Sequence, residues 1–217
     1  MNYKDLIALY ERWRVTYGSE TFRYTSAILE EAKGIHYEDW LKHPTRRRDH
    51  EQSWRAFKGK NLEKLIIHIV ENEVKELGLD IIQGTKLESR NPKRLSLQLN
   101  LVRRNLLVRF GDQGEFGFHL PDVDLVIYDP PTSKVIAVVS SKVTLRERIA
   151  QTGYWKLKLL QDPLTKHIKV FFITPDQDGT LTKESPVKKG RAIVEVDTDG
   201  AYVMTEASVE ADKKVKL

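Results

Sequence analysis

The stretch PDVDLVIYDPPTSKVIAVVSSKVTLRERIAQ, residues 121–151, decides how the rest of the chain is read. Its apolar run Asp124–Tyr128 is rich in β-branched residues, as is Val135–Val139. Between them lies Asp129-Pro130-Pro131-Thr132-Ser133, a dense turn signal, so the two runs form an antiparallel hairpin. Side chains alternate along a strand, so Asp122 shares a face with Asp124 and Ser140 shares one with Lys142. A hairpin centred near 131–132 sets 122–124 opposite 139–141. A carboxylate and an ammonium therefore converge near the ends of neighbouring strands. Carboxylates are the hard oxygen ligands that a divalent cation takes, and an ammonium beside them can orient a water against a phosphate. That combination suits metal-assisted phosphodiester hydrolysis.

Downstream, residues 144–160 carry a helical pattern and 168–173 (IKVFFI) a strand. The segments 191–197 (RAIVEVD) and 201–204 (AYVM) read as a final hairpin about Asp199-Gly200. Upstream the pattern is helical. Residues 3–16 place Leu6, Leu9, Tyr10 and Trp13 on one face, and 21–33 end at Gly34, with a short segment 36–42 after it. The longest stripe, Leu62, Leu65, Ile66, Ile69, Val70, Val74 and Leu77, defines a helix over 60–78. Ile81-Ile82 reads as a short strand. For 95–108, strand-like alternation at the start yields to a helix. Helices followed by strand–strand–helix–strand–strand give a mixed sheet with helices against it, an α/β or α+β domain.

The chain's 217 residues suit one domain with a small helical extension, divided here into 1–55 and 56–217. Cysteine is absent, which excludes disulfides, thiolate metal sites, Fe–S clusters and cysteine nucleophiles. No secretory signal pattern and no apolar run approaching ~18 residues is present, so a cytoplasmic setting without membrane contact is expected. A net charge of +5 is compatible with a polyanionic partner. The six histidines show no metal-type spacing, and no phosphate loop, GxSxG elbow or HExxH pair occurs.

Pro121-Asp122 and Ser140-Ser141-Lys142 on such a hairpin resemble the PD-(D/E)XK nuclease superfamily, in which Pro-Asp opens one strand and an acid-any-Lys triplet closes the next. Ser140 departs from the pattern by standing where the acid belongs. In related restriction endonucleases with serine there, the acid comes from elsewhere. The positions about thirteen residues beyond the lysine are Tyr154, Trp155 and Lys156, which supply none. An upstream Gly-x-x-x-Glu setting is met by Gly59-Lys60-Asn61-Leu62-Glu63, so Glu63 is the candidate relocated acid, ahead of Glu71 and Glu73. Motif spelling favours Asp122 over Asp124 as the metal-binding aspartate.

Arg146-Glu147-Arg148 follows at the start of the next helix. Arginine bonds guanine O6 and N7 bidentately and glutamate accepts from cytosine N4, so the triplet matches adjacent G·C pairs. It resembles the Arg-(Asp/Glu)-Arg motif of restriction endonucleases that read CCGG-type sites, particularly the smaller enzymes of that group. The resemblance spans residues 121–160, and 55–65 more loosely. It implies a restriction-endonuclease-like mixed sheet flanked by helices, with a helical N-terminal part, and a prokaryotic type II restriction endonuclease. Such an enzyme uses Mg²⁺, cuts double-stranded DNA at a palindrome containing CC/GG, leaves 5′-phosphates, acts as a homodimer and is paired with a DNA methyltransferase. In that setting Asp122 or Asp124 holds the metal with Glu63, Lys142 activates water, and Ser140 contributes at most a hydrogen bond. Arg46, Arg47, Arg48 and His119 are candidate DNA backbone contacts. A repair or junction-resolving nuclease of the same fold, or an inactive DNA-binding module, remains the alternative.

Overall fold

The computed structural model describes residues 1–43, 49–88, 94–111, 117–143, 148–182, 186–207, 209–210 and 214–216. Three helices lead: α1 (Tyr3–Tyr17), α2 (Thr25–Lys42) and α3 (His50–Glu76). Asn2 and Asp5 form a capping box on α1, and the Asp49 carboxylate accepts from the Gln52 amide at 2.7 Å to start α3. That cap opens α3 ten residues before the stripe alone indicates, and Trp54 is buried on the added turns. Gly34 does not stop α2. The buried positions Ile28, Leu29, Ala32 and His36 run past it, and this packing outweighs the ~1 kcal/mol that glycine costs inside a helix.

A six-stranded sheet follows, built from β1 (Asp80–Gln83), β4 (Leu125–Asp129), β5 (Lys134–Ser141), β6 (Lys169–Thr174), β7 (Gly200–Val203) and β8 (Val215–Lys216), in spatial order 1-4-5-6-7-8. Strands β2 (Val108–Arg109) and β3 (Phe118–His119) pair separately. The hairpin is present as expected: β4 runs antiparallel to β5 with Leu125 opposite Val139. From β5 onward the pairs β5–β6, β6–β7 and β7–β8 are parallel, so the sheet is mixed. Helix α4 (Leu97–Leu106) confirms the helical reading of that region, and α5 (Arg148–Gln161) follows β5.

The expected hairpin at 191–204 is corrected. Residues Lys189–Asp197 form a helix, α6, and only β7 is a strand. Parallel β6 and β7 need a crossover, usually a helix, and that requirement overrides the β propensity of RAIVEVD. Buried Arg191 pairs with Glu195 one turn on, at 2.6 Å, and Val194 faces the core.

One apolar cluster joins Leu6, Leu9, Ile28, Leu29, Leu62, Leu65 and Ile66 of the N-terminal helices to Leu125, Val139 and Met204 of the sheet. On the opposite face, Val102, Leu106 and Leu159 pack with Val126, Val138 and Val170. Helices therefore cover both sheet faces, and α3 is held firmly beside the ends of β1, β4 and β5. Among the described residues no helix is long and apolar enough to cross a membrane.

Candidate active site

Backbone close packing builds the site before any side chain does. Gly84, just past β1, donates its amide to the Asp124 carbonyl at 2.8 Å. A Cβ at Gly84 would lie 1.9 Å from the Val123 carbonyl oxygen, so only glycine permits this approach. The approach fixes the backbone of Asp124 immediately before β4 begins.

The Asp124 side chain is buried, with 9% of the residue exposed, and both its oxygens are engaged. Oδ1 accepts from Lys142 Nζ at 2.7 Å, and Oδ2 accepts from the Ser141 amide at 2.7 Å. Lys142 sits just beyond the end of β5. Its carbonyl accepts from the buried Thr174 hydroxyl at 2.6 Å, which ties the lysine backbone to β6. Glu63, on α3, places Oε1 3.9 Å from Lys142 Nζ, while its Oε2 accepts from Gln83 Nε2 at 3.0 Å. Burial pushes the Glu63 carboxyl above the usual glutamate range, and the neighbouring Asp124 charge adds to the rise. The Gln83 hydrogen bond and the Lys142 charge oppose it. Three groups from three elements thus meet: Asp124 before β4, Lys142 after β5 and Glu63 from α3.

The two aspartates have different partners. Asp122 Oδ2 accepts from Gln151 Nε2 of α5 at 2.9 Å, whereas Asp124 contacts Lys142. Ser140 is buried, and its hydroxyl meets that of Thr152 on α5 at 2.8 Å. His119 is exposed on β3 with its ring edge-on to Phe110, centroids 5.1 Å apart. Arg46, Arg47, Arg48, Arg146 and Glu147 lie outside the described residues, and Arg148 enters only as the first residue of α5.

Gln83, Thr174, Gln151 and Thr152 carry no motif, and sequence reasoning missed all four. The signal for Gln83 was positional. It is the polar residue that ends the short apolar run Ile81-Ile82, at the strand end facing Leu125.

Two carboxylates and an ammonium meet here in direct contact. They are suited to a divalent cation with a phosphate. Magnesium retains several waters and binds through one or two carboxylates plus substrate phosphates, so Asp124 with Glu63 fits it. Burial first, and then the nearby Asp124 charge, raise the Glu63 carboxyl, and a cation between the two carboxylates would oppose both. Among the described residues no cluster of three or more His, Asp or Glu side chains forms a metal cage.

Comparison with known proteins finds a family and several relatives. The model of a family described as BsaWI restriction endonuclease type 2 matches residues 98–217. A putative type II restriction enzyme, MjaVIP, from Methanocaldococcus jannaschii is 36% identical over 167 residues, covering 75% of this chain and 71% of the relative. A probable type II restriction enzyme, HpyAORF263P, from Helicobacter pylori is 39% identical over 134 residues, covering 59% of this chain and 63% of the relative. A solved complex of the pre-specific restriction endonuclease BsaWI with DNA aligns over 100% of this chain and 88% of the other, at 11% identity and a TM-score of 0.45.

Proposed function

Because the chain belongs to the BsaWI family of type II restriction endonucleases, and is therefore a site-specific deoxyribonuclease, we propose that Asp124, Glu63 and Lys142 are its cleavage centre and that Mg²⁺ is its metal. The observation that carries this reading is the convergence of Lys142 on Asp124 at 2.7 Å with Glu63 Oε1 3.9 Å away.

Asp124 and Glu63 would hold the metal through carboxylate oxygens, and it would supply Lewis-acid polarisation of the scissile phosphate and a more acidic water. Lys142 places its ammonium against the phosphate and the attacking water. The Ser141 amide and Gln83 keep the two carboxylates in one orientation, so little ordering is left for the moment of reaction. Water adds to phosphorus, the bond to the 3′-oxygen breaks, and that oxygen takes a proton. The ends are 5′-phosphate and 3′-hydroxyl. Ser140, held by Thr152, fastens α5 to the sheet and supplies no charge to the centre. Asp122 likewise engages α5 through Gln151.

Recognition is assigned to Arg146, Glu147 and Arg148, whose donors and acceptor complement G·C pairs, so the target contains CC/GG. A two-fold protein matches a two-fold site, so the enzyme acts on a palindrome as a homodimer. A methyltransferase of the same specificity protects the host genome. Arg46, Arg47, Arg48 and His119 are assigned to the DNA backbone.

The test is incubation with plasmid DNA and Mg²⁺ followed by sequencing of the fragment ends. Discrete fragments sharing a palindromic CC/GG core are expected. Cutting confined to branched DNA, or a retarded but intact plasmid, would overturn the reading.

A further inference from the structure

Lys58 lies on α3, five residues before Glu63. It is half-buried, and its hydrogen bond goes to a neutral group, Gln177 Oε1, at 3.4 Å. Burial lowers its pKa from the ordinary lysine value, and Lys33 and Arg55 lower it further. Glu30 and Glu51 act on it in the opposite sense. Glu51, however, is in an ion pair with Lys33 at 2.6 Å. A partly desolvated ammonium whose hydrogen bond goes to a neutral amide gains when an anion joins it.

The position of Gln177 is not incidental. Its amide donates to the Val143 carbonyl at 3.2 Å, one residue beyond Lys142. Its loop is held rigidly, because the buried Asp176 carboxylate accepts from the Thr180 and Leu181 amides at 2.9 and 2.8 Å. Two contacts therefore cross the same seam between α3 and the ends of β5 and β6: Glu63 to Lys142, and Lys58 to Gln177. Five helical residues rise about 7.5 Å along α3 and turn it by about 140°, so it is the long Lys58 side chain that brings the ammonium back to the seam at Gln177.

We propose that Lys58 binds the DNA phosphate adjacent to the scissile one, its ammonium leaving or sharing the Gln177 amide to do so. The inference rests on the reading of Asp124, Glu63 and Lys142 as the cleavage centre. It gives α3 two tasks: Glu63 for the metal and Lys58 for the neighbouring backbone.

Duplexes carrying one neutral methylphosphonate at successive positions around the cut distinguish the possibilities. Wild-type protein should lose about tenfold in affinity at one phosphate flanking the cut, the scale of a charge-assisted hydrogen bond. Lys58→Gln, which can still bond Gln177, should be insensitive at that position and lose affinity elsewhere as wild type does. Its plot of log affinity against log salt should be shallower by about 0.9. Lys58→Arg should restore both. A Lys58→Gln profile and salt slope identical to wild type would overturn the role of Lys58 while leaving the cleavage centre standing. Wild-type protein that neither binds nor cuts duplex DNA would overturn both.

Discussion

Lys142 closes on Asp124, ammonium to Oδ1, at 2.7 Å, and the Ser141 amide takes the other oxygen at the same distance. Consecutive residues at the end of β5 thus grip one carboxylate from the start of β4. The grip follows from the hairpin register: Leu125 opposite Val139 continues to Asp124 opposite Ser140, which puts Ser141 and Lys142 immediately beyond it at the open end of the pair.

Lys142→Ala should lower single-turnover cleavage by about 10²–10³-fold, the usual cost of removing one preorganised electrostatic group. Affinity for the specific duplex should change far less. Rapid-quench assays beside gel-shift titrations check this. Equal losses in binding and in rate would count against a chemical role.

The two aspartates should separate cleanly. Asp124→Asn removes the charge beside Lys142 and should abolish Mg²⁺-dependent cutting. Asp122→Asn keeps an acceptor for Gln151 and should leave the rate within about tenfold of wild type. Parallel plasmid digests over a range of Mg²⁺ concentrations decide between them. The reverse ranking would restore the assignment that motif spelling favours.

The meeting of Lys142 with an aspartate was legible in the sequence. The hairpin, Lys142 and Asp124 follow from alternation about the Pro-Pro turn, which is local information. Glu63 was reachable only through the superfamily resemblance, whose upstream Gly-x-x-x-Glu setting residues 59–63 match, and the structure sets it 3.9 Å from Lys142. Which aspartate contacts Lys142 was not legible, because both share a strand face. That contact depends on Gln151 of α5 and on how Gly84 crowds Val123, both of them tertiary contacts. Residues 191–197 misled for a similar reason. Val194 and Val196 favour a strand locally, but the parallel order of β6 and β7 is a property of the whole sheet.

Glu63→Gln should stabilise the metal-free protein while eliminating cleavage. Burial and the Asp124 charge raise the Glu63 carboxyl in the folded state, so the ionised form is disfavoured there and a neutral isostere relieves it. Each kcal/mol gained corresponds to about 2–4 °C in Tm for a chain of this size. Thermal melts in EDTA at neutral pH measure the gain.

The pH dependence carries the same sign. The folded protein keeps the Glu63 proton to higher pH than the unfolded chain does. This group's stabilising contribution is therefore complete below the unfolded carboxyl value and is lost as pH rises through the folded one. The Tm of Glu63→Gln minus that of wild type, in EDTA, should grow across that rise and then level off. Subtracting the two cancels carboxylates common to both, including Asp199, which is shifted the opposite way. A difference that stays flat with pH would remove Glu63 from the buried, charge-crowded role.

Gly84→Ala tests whether the backbone approach beneath the site matters. The added methyl would sit 1.9 Å from the Val123 carbonyl oxygen, a contact that cannot be relieved by rotating a side chain. Either the Gly84 amide gives up the Asp124 carbonyl, or the backbone of 123–124 shifts. Strain of this kind typically costs about 1–3 kcal/mol. Moving Asp124 by even about 1 Å relative to Lys142 is enough to cost about 10²-fold in rate. The variant should therefore melt lower than wild type and, well below its melting point, still cleave about 10²-fold more slowly. Gly59→Ala makes the matched control: a Cβ there meets nothing within 4 Å on the same helix as Glu63, and it should leave the rate intact. If Gly84→Ala only lowers the melting point, the close approach serves stability and Asp124 is positioned by the hairpin alone.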